Sequence, residues 1–156
     1  MEARLEGGCT CGAVRYRLSS APMFVNCCHC TWCQRETGGA FVINAIIETD
    51  RLEVTGETVP VATPTESGTP QIIHRCPTCH VALWSHYGGR TVSAFVRAGT
   101  LDRADTISPD AHIFTRSKLP WVNLERGAPA FEIYYEMDEL WPAESLTRRK
   151  AALAPR

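Results

Sequence analysis

Cys76-Pro77-Thr78-Cys79 is the stretch of sequence that decides the fold, and two residues separate its thiols. This spacing allows a tight turn to direct both sulfurs toward one point, and Pro77 favours the turn because its ring restricts the backbone dihedral φ. Two thiolates on such a turn are typical of a zinc site, in which each sulfur lies about 2.3 Å from the ion. One pair supplies half of a tetrahedral site, so two more ligands are needed.

Cys9-Thr10-Cys11, near the start of the chain, is the pair that completes this site. In an extended segment alternate side chains lie on the same face, so both thiols can contact one ion. Gly12 follows directly and allows the backbone to pass close to the metal. We therefore expect one closed, structural zinc ion held by Cys9, Cys11, Cys76 and Cys79.

The remaining four cysteines lie together in the segment 27–33, and three of them form a second candidate site. Cys28, Cys30 and Cys33 can occupy three corners of a tetrahedron and leave the fourth open, which is the pattern of a catalytic zinc. Cys27 precedes Cys28 directly, so in a strand its side chain points the other way. We interpret Cys27 as a buried packing residue.

Other interpretations of this segment require different ligand chemistry. A second structural zinc, with His29 or another group as fourth ligand, is the main alternative, and an iron–sulfur centre is compatible with the same soft ligands. A disulfide between the adjacent Cys27 and Cys28 would be strained. A redox Cys-x-x-Cys pair needs a βαβ context that the sequence does not show.

The composition is that of a globular chain of one ordinary domain, with 156 residues, 44% hydrophobic residues and a net charge of −1. This charge predicts no nucleic-acid surface and no attraction to anionic membranes. No apolar stretch approaches the roughly 20 residues of a membrane span, and residues 1–8 lack the apolar core of a signal peptide. We therefore expect a cytoplasmic protein with reduced thiols. The sequence makes no prediction of oligomeric state.

Short segments rich in β-branched and aromatic residues predict a mainly β fold of antiparallel sheets with few short helices. Val14, Tyr16 and Leu18 alternate with polar residues, as in a half-buried strand. The other predicted strands are Met23–Cys27, Phe41–Ile47, Leu52–Thr55, Gln71–Arg75, Ala82–His86, Thr91–Val96 and His112–Thr115. Val59–Pro70 is predicted to be a surface loop.

Helices are predicted at three places. One follows Cys30 and ends before Gly38-Gly39, and the others cover Glu139–Trp141 and Glu144–Leu153. We expect a single zinc-binding domain over residues 1–142, followed by a C-terminal helix and tail over residues 143–156.

The cysteine motifs, taken in order, resemble those of the glutathione-dependent formaldehyde-activating enzyme family, of the S-(hydroxymethyl)glutathione synthase type. Gly8–Tyr16 looks like the opening motif of the family, Cys28–Arg35 with Gly38–Phe41 resembles the central motif, and Arg75–Cys79 resembles the third. The C-terminal part of the resemblance lies in His112–Trp121 and Pro129–Phe131.

This resemblance implies a β-tent of short antiparallel sheets around a structural zinc, and a second, catalytic zinc, so two ions per chain. The implied ligands are Cys9, Cys11, Cys76 and Cys79 for the first ion and Cys28, Cys30 and Cys33 for the second. The implied reaction is the reversible condensation of glutathione with formaldehyde to S-(hydroxymethyl)glutathione. Three thiolates suit this role because they weaken the ion as a Lewis acid and favour a fourth, soft thiolate ligand.

Two positions depart from the family pattern. His80 follows the third motif where glycine is usual, and this position often needs a positive φ, which histidine adopts less readily than glycine. Gln34 follows Cys33 where arginine is common, so the motif does not identify the group that binds an anionic substrate. The candidates for that group are Arg35, Arg75, Arg97 and Arg116.

His29 is the nearest candidate in sequence for a catalytic proton donor, since it lies between two predicted ligands. The alternative is that it points away from the metal and has a packing or hydrogen-bonding role. His74, His86 and His112 are interpreted as strand residues. Trp32 and Trp121 are interpreted as core residues, and the alternative is that they form a wall of the substrate site, above all Trp32 within the ligand segment.

Two functions from different classes follow from these patterns. The first is a zinc-dependent carbon–sulfur lyase that joins a small aldehyde to a small thiol such as glutathione. The second is a zinc-stabilised binding module, without catalysis, for a protein or small-thiol partner. Methionine-R-sulfoxide reductase has a similar tent fold but needs a reactive cysteine on a late strand, and no cysteine follows Cys79. The motifs do not identify the physiological aldehyde or thiol.

Overall fold

The structure is a computed structural model that describes residues 5–124 and 126–155, and it is mainly β, as predicted. A three-stranded sheet has the order β1-β2-β5, and a seven-stranded sheet has the order β10-β3-β4-β9-β8-β7-β6. The strands are β1 (Leu5–Gly8), β2 (Arg15–Leu18), β3 (Phe24–Cys28), β4 (Val42–Glu48), β5 (Leu52–Thr55), β6 (Val59–Thr63), β7 (Gln71–Arg75), β8 (Ala82–Tyr87), β9 (Arg90–Arg97) and β10 (Ala111–Ile113).

The three-stranded sheet has one face in the core because alternate side chains of β2 are apolar. Tyr16 and Leu18 are buried, whereas Arg17 between them is exposed. The sequence pattern does not predict β1, since half of that strand is glycine. Gly7 allows the backbone of β1 to pass close to that of Thr100, because a Cβ at this position would lie 2.5 Å from the carbonyl oxygen of Thr100.

The seven-stranded sheet is antiparallel except at one edge, where β10 runs parallel to β3. The prediction of antiparallel sheets is confirmed for the other described strand pairs, and the pair of β10 with β3 is the exception. Residues 98–110 include two 3-10 turns and carry the chain past β4 and β3, so β10 joins the sheet in the direction of β3. The register pairs His112 with Cys27 and Ile113 with Cys28.

The first part of the predicted loop Val59–Pro70 is a strand, so the loop prediction is wrong there. Val59–Thr63 form β6, which pairs with β7 at the edge of the large sheet. Pro60 lacks a backbone N–H and so weakens any strand prediction, but an edge strand needs partners on one side only. Residues 64–70 lie outside the strands, as predicted.

The three α-helices lie at the predicted places or within two residues of them: α1 (Thr31–Thr37), α2 (Met137–Leu140) and α3 (Ala143–Leu153). Cys30 caps the start of α1, and its Sγ accepts a hydrogen bond from the backbone N–H of Cys33 at 3.3 Å. Gly38 ends this helix with a φ of 68°. Among the described helices, none has the length and apolar character needed to cross a membrane.

Helix α3 is attached to the rest of the fold by buried polar contacts. Ser145 Oγ donates a hydrogen bond to the carbonyl oxygen of Met23 at 2.6 Å. The guanidinium of Arg148 forms a bidentate pair with Glu48 of β4, with N–O distances of 2.8 and 2.6 Å. Only 16% and 6% of these two side chains is exposed. The division of the chain at residue 142 stays a prediction.

Replacing Arg148 with alanine should lower the free energy of unfolding by about 3 kcal/mol, because the buried Glu48 carboxylate loses its bidentate partner and keeps only the contact with Arg51 at 3.4 Å. Burial acts to raise the pKa of Glu48, but the hydrogen bond from Arg148, a backbone hydrogen bond and the charges of Arg148 and Arg51 together hold that pKa below its usual value. This contribution is present above the unfolded pKa of about 4.3 and is lost as the pH falls through the folded pKa. The difference between wild type and variant in urea unfolding should therefore shrink in acid.

Arg103→Ala is the matched control, because it removes an ion pair with Asp105 in which both side chains are exposed. Exposed pairs contribute little to stability, so this variant should unfold like the wild type. Equal losses in the two variants, or a loss in Arg148→Ala that does not depend on pH, would contradict the prediction.

Candidate functional site

Four thiols from two distant turns converge at one point. Cys9 and Cys11 lie between β1 and β2, Cys76 and Cys79 lie between β7 and β8, and the four sulfurs lie within 4.8 Å of one another. The Sγ–Sγ distance is 3.5 Å for Cys9 and Cys11 and 3.6 Å for Cys11 and Cys76. The sulfurs of a tetrahedral zinc–thiolate site are separated by about 3.8 Å. The donor set and its spacing therefore fit a closed zinc site.

Backbone N–H groups around the second turn favour the charged form of its sulfurs. The N–H groups of Thr78 and Cys79 donate to Cys76 Sγ at 3.4 and 3.5 Å. Backbone hydrogen bonds from Val81 and Cys11 lower the pKa of Cys79 to about 6. Thiolates are the form of cysteine that binds zinc, so the turn is suited to that role.

His80 closes this turn in the left-handed region, with a φ of 63°. The expectation of a positive φ at this position is confirmed. Its backbone N–H donates to the carbonyl oxygen of Cys76 at 3.0 Å, and its side chain is exposed. A non-glycine residue in this region carries strain on the order of 1–3 kcal/mol, which the surrounding contacts must offset.

A second cluster is formed by Cys28, Cys30 and Cys33, whose sulfurs also lie within 4.8 Å of one another. Cys28 ends β3, Cys30 caps α1 and Cys33 lies in the first turn of that helix. The strand-to-helix connection therefore brings three thiols together locally. All three are buried, and within residues 5–124 and 126–155 no fourth cysteine, histidine or carboxylate ligand joins the cluster at this distance.

Hydrogen bonds among these three sulfurs concentrate negative charge on Cys30. Bonds with the thiols of Cys28 and Cys33 lower the pKa of Cys30 to about 3, and the bond with Cys30 raises the pKa of Cys28. The backbone N–H of Cys33 supports the same charge on Cys30. A thiolate in a buried position favours a bound cation, so this cluster also fits a metal ion.

His29 lies on the Cys27 side of β3 and not beside the three thiols. Its Nε2 is 3.5 Å from Cys27 Sγ and 3.0 Å from His112 Nδ1. His29 is fully buried, and burial together with the neighbouring His112 lowers its pKa to about 4. No contact in the described structure supports His29 as a proton donor for the three-thiol site. Cys27 is buried, as predicted.

Gln34, which stands where the family often has arginine, connects two segments of the backbone. Its Nε2 donates to the carbonyl oxygens of His29 and Ser117 at 2.8 and 2.9 Å. These bonds fasten α1 to the segment that follows β10. We infer that Gln34 holds the cluster in place rather than binding a substrate anion.

The three thiols open into a cavity of about 650 Å³, which we call the thiol cavity. Its floor is the face of the large sheet that carries Asn26 and Asn44, and its walls come from residues 65–69, the β8–β9 turn, α2 and α3. Small-molecule sites have volumes of about 300–1,000 Å³. The thiol cavity therefore has the size of a substrate site with three metal-binding side chains in its wall.

The interpretation of Trp32 and Trp121 as core residues is wrong. Trp32 is 42% exposed and lines the thiol cavity, and Trp121 is 71% exposed. Trp32 precedes Cys33 in the first turn of α1, and Cys33 occupies the buried side of that helix. The indole of Trp32 is therefore directed toward the cavity and solvent.

A buried cation lies near the three thiols. Arg97 of β9 is 6% exposed, and its Nη1 donates to Asn44 Oδ1 at 2.6 Å. Its Nε has no hydrogen-bond partner, and no carboxylate of the described residues forms an ion pair with it. A buried charge without a counter-charge is costly, so the thiolates of the nearby cluster are its natural counter-ions.

One of the four predicted carboxylate-binding arginines lines the thiol cavity. This is Arg116, which pairs with Glu66 at 2.5 Å. Arg35 is exposed on α1, Arg75 forms an ion pair with a carboxylate of α1, and Arg97 is buried in the sheet. The structure therefore brings only Arg116 to a position where it can meet a substrate.

Three functional candidates were not predicted from the sequence: Tyr87, Arg90 and Arg149, which all line the thiol cavity. Burial raises the pKa of Tyr87 to about 12; Arg97 opposes this, while Cys33 and Cys28 act in the same direction as burial. Tyr87 therefore lies within electrostatic reach of the thiols. No local motif marks these residues, because the β8–β9 turn and α3 meet the cysteine motifs only in the folded chain.

A mainly β fold with one closed thiol cluster and one thiol cluster that opens into a cavity defines a class of proteins whose cysteines can hold metal ions. Residues 4–117 match the family described as GFA, glutathione-dependent formaldehyde-activating enzyme. A Halomonas elongata protein provisionally named a glutathione-dependent formaldehyde-activating enzyme is 32% identical over 127 residues, which are 78% of this chain and 81% of the relative.

The chain belongs to the glutathione-dependent formaldehyde-activating enzyme family, so the predicted family is confirmed. A crystal structure of a Rhodobacter sphaeroides protein is similar to it with a TM-score of 0.50 and 18% identity. That similarity covers 67% of this chain and 97% of the other, and at this identity it supports the fold alone.

The His29 imidazole should titrate near pH 4, because burial disfavours its charged form. It should therefore be neutral at pH 7. Proton–nitrogen NMR across a pH series measures this, and His29→Gln identifies the signal by its loss. Titration near the usual histidine pKa of about 6.5 would show that the ring is exposed to solvent or to a new counter-charge.

Proposed function

We propose that the protein is a zinc-dependent carbon–sulfur lyase that reversibly joins a small thiol such as glutathione to a small aldehyde. The observation that carries this proposal is the second cluster, in which three buried thiols open into the thiol cavity and no fourth ligand comes from the part of the chain that the structure describes. In this proposal the structural ion is held by Cys9, Cys11, Cys76 and Cys79, and the catalytic ion by Cys28, Cys30 and Cys33. We place the reaction in the cytoplasm, where thiols stay reduced.

Cys28, Cys30 and Cys33 would hold the zinc ion, which when bound would supply a position for a further soft ligand and favour the deprotonated form of a small thiol. The protein supplies the surroundings of that position. Arg97 offsets part of the negative charge of the thiolates, and Asn44 orients the guanidinium through the bond at 2.6 Å. Burial of the three cysteines strengthens these charge interactions because it excludes water.

Addition of a thiol to an aldehyde needs a proton for the carbonyl oxygen. The thiol loses its S–H proton, its sulfur forms a bond to the carbonyl carbon, and the π electron pair moves to the oxygen, which takes up a proton. Tyr87 is the donor that we assign, because it lines the thiol cavity and its pKa of about 12 keeps it protonated at neutral pH. The S–H proton of the thiol restores the Tyr87 hydroxyl, and in the reverse reaction both proton transfers run in the opposite direction.

The zinc-loaded protein should contain two ions per chain, and Cys30→Ser should retain one of them. Cys30 is the sulfur that its two neighbours support as a thiolate, and a hydroxyl is a much poorer ligand for zinc. The variant should also lose glutathione binding. Metal analysis gives the number of ions, and calorimetric titration with glutathione gives the affinity.

Cys27→Ser is the matched control, since Cys27 is an adjacent, buried cysteine on the opposite face of β3. It should keep both ions and bind glutathione like the wild type. Undiminished glutathione affinity in Cys30→Ser would contradict the proposed function. The same would follow if a folded Cys27→Ser lost an ion as well.

Tyr87→Phe should lower kcat by on the order of 100-fold, because the variant lacks the hydroxyl that protonates the oxygen. Zinc content and the KM for glutathione should not change. Steady-state rates of adduct formation measure this loss. Tyr134→Phe is the control, since Tyr134 lines the same cavity but is 44% exposed. A wild-type kcat in Tyr87→Phe would show that Tyr87 is not the proton donor.

A further inference from the structure

The thiol cavity has an apolar section that formaldehyde cannot fill. This section is lined by Ile46, Phe95, Ile113, Met137 and Trp141. Formaldehyde carries only hydrogen on its carbonyl carbon and has no group to place against these side chains. Such a substrate would leave these apolar side chains in contact with water, so the burial of apolar surface would not contribute to its binding.

The apolar section is held in place by neighbouring strands and rings. Ile46 of β4 pairs with Phe95 of β9, and the Phe95 ring packs edge-on to Tyr87 with a centroid distance of 4.7 Å. The Trp141 indole stacks on Phe24 at 5.2 Å. Because these contacts exist within the protein itself, the section is formed before any ligand binds.

The apolar side chains lie at both ends of the cavity floor, one end next to the thiols and the other farther along the sheet, and the Asn26–Asn44 pair lies between them. Ile113 pairs with Cys28 across β10 and β3, so the section starts next to the cluster. Val42 also pairs with Cys28, and Ile46 lies four residues farther along the same strand. At about 3.4 Å per residue, that is a distance of about 14 Å. A carbonyl carbon held beside the thiols leaves this length available to its substituent.

The polar lining of the cavity fits the thiol partner instead. Gln71 is 5% exposed, and its Oε1 has no hydrogen-bond partner, so it can accept an N–H from a ligand. Arg90 and the Arg116–Glu66 pair line the same cavity and offer charges of both signs. A peptide-like thiol with amide, ammonium and carboxylate groups matches this set. The apolar section is then left for the aldehyde.

We propose that the carbonyl substrate is an aldehyde with an apolar substituent, alkyl or aryl, which occupies the apolar section. This inference rests on the proposed function of the same site. The thiol adds across the C=O bond: a carbon–sulfur bond forms, the S–H proton is balanced by the proton on oxygen, and nothing is oxidised or reduced. The product is a hemithioacetal with an apolar arm.

The experiment uses zinc-loaded protein with saturating glutathione and the aldehydes formaldehyde, propanal and hexanal. The kcat/KM should rise along the series by about fourfold per methylene until the section is filled. Binding provides a second readout that does not need turnover. S-hexylglutathione should bind at least tenfold more tightly than S-methylglutathione in calorimetric titration.

Phe95→Ala tests the residues assigned to the aldehyde. Its preference for hexanal over formaldehyde, taken as the ratio of the two kcat/KM values, should fall about tenfold, and this ratio cancels any loss through the neighbouring Tyr87 that both aldehydes share. Phe95→Leu, which keeps part of the apolar contact, should give an intermediate preference and serves if the alanine variant does not fold. Trp121→Ala is the control, because Trp121 is an exposed aromatic residue outside the cavity lining.

The two proposals fail in different ways. If glutathione does not bind, the proposed function is wrong. If glutathione binds but formaldehyde is used as well as hexanal, and S-hexylglutathione binds no more tightly than S-methylglutathione, the function stands and the apolar aldehyde is wrong. If a folded Phe95→Ala variant kept the wild-type preference for hexanal over formaldehyde, the apolar section would not select the aldehyde.

Discussion

The convergence of the four thiols of Cys9, Cys11, Cys76 and Cys79 is the constraint on which the rest of the structure depends. It joins turns that are 65 residues apart in the chain, one within the small sheet and one within the large sheet. Cys9 and Cys76 belong to one buried cluster with core residues of both sheets. A link between such distant turns stabilises a fold of short strands, because it limits the loops that the unfolded chain explores.

The two-residue period of β3 determines which of its side chains face the thiol cavity. Asn26 and Cys28 lie on the face that forms the floor of the thiol cavity, whereas Cys27 lies on the other face together with His29 and His112. Adjacent cysteines therefore have unrelated roles. The β4 and β10 partners hold this alternation in register, because a slip of one residue would turn Cys28 away from the cavity and direct Cys27 toward it.

The charges around the second cluster come from separate parts of the sheet. Hydrogen bonds with Cys28 and Cys33 stabilise the thiolate of Cys30, and Arg97 places a buried positive charge on β9. Tyr87, from β8, adds a hydroxyl that stays protonated. This arrangement suits a thiol in its charged form and a carbonyl oxygen that needs a proton, which is the chemistry we propose. The apolar section beside it separates the selection of the aldehyde from the binding of the thiol.

The sequence by itself determined the features that depend on local geometry. The spacing of Cys28, Cys30 and Cys33 places three thiols on one strand-to-helix turn, and the left-handed Gly38 ends the helix where expected. The positions of Tyr87, Arg97 and the apolar section, the parallel direction of β10 and the orientation of His29 were decided only by the tertiary structure. The physical reason is that each of these depends on strand pairing between distant segments, and a local pattern of side chains carries no information about its partners.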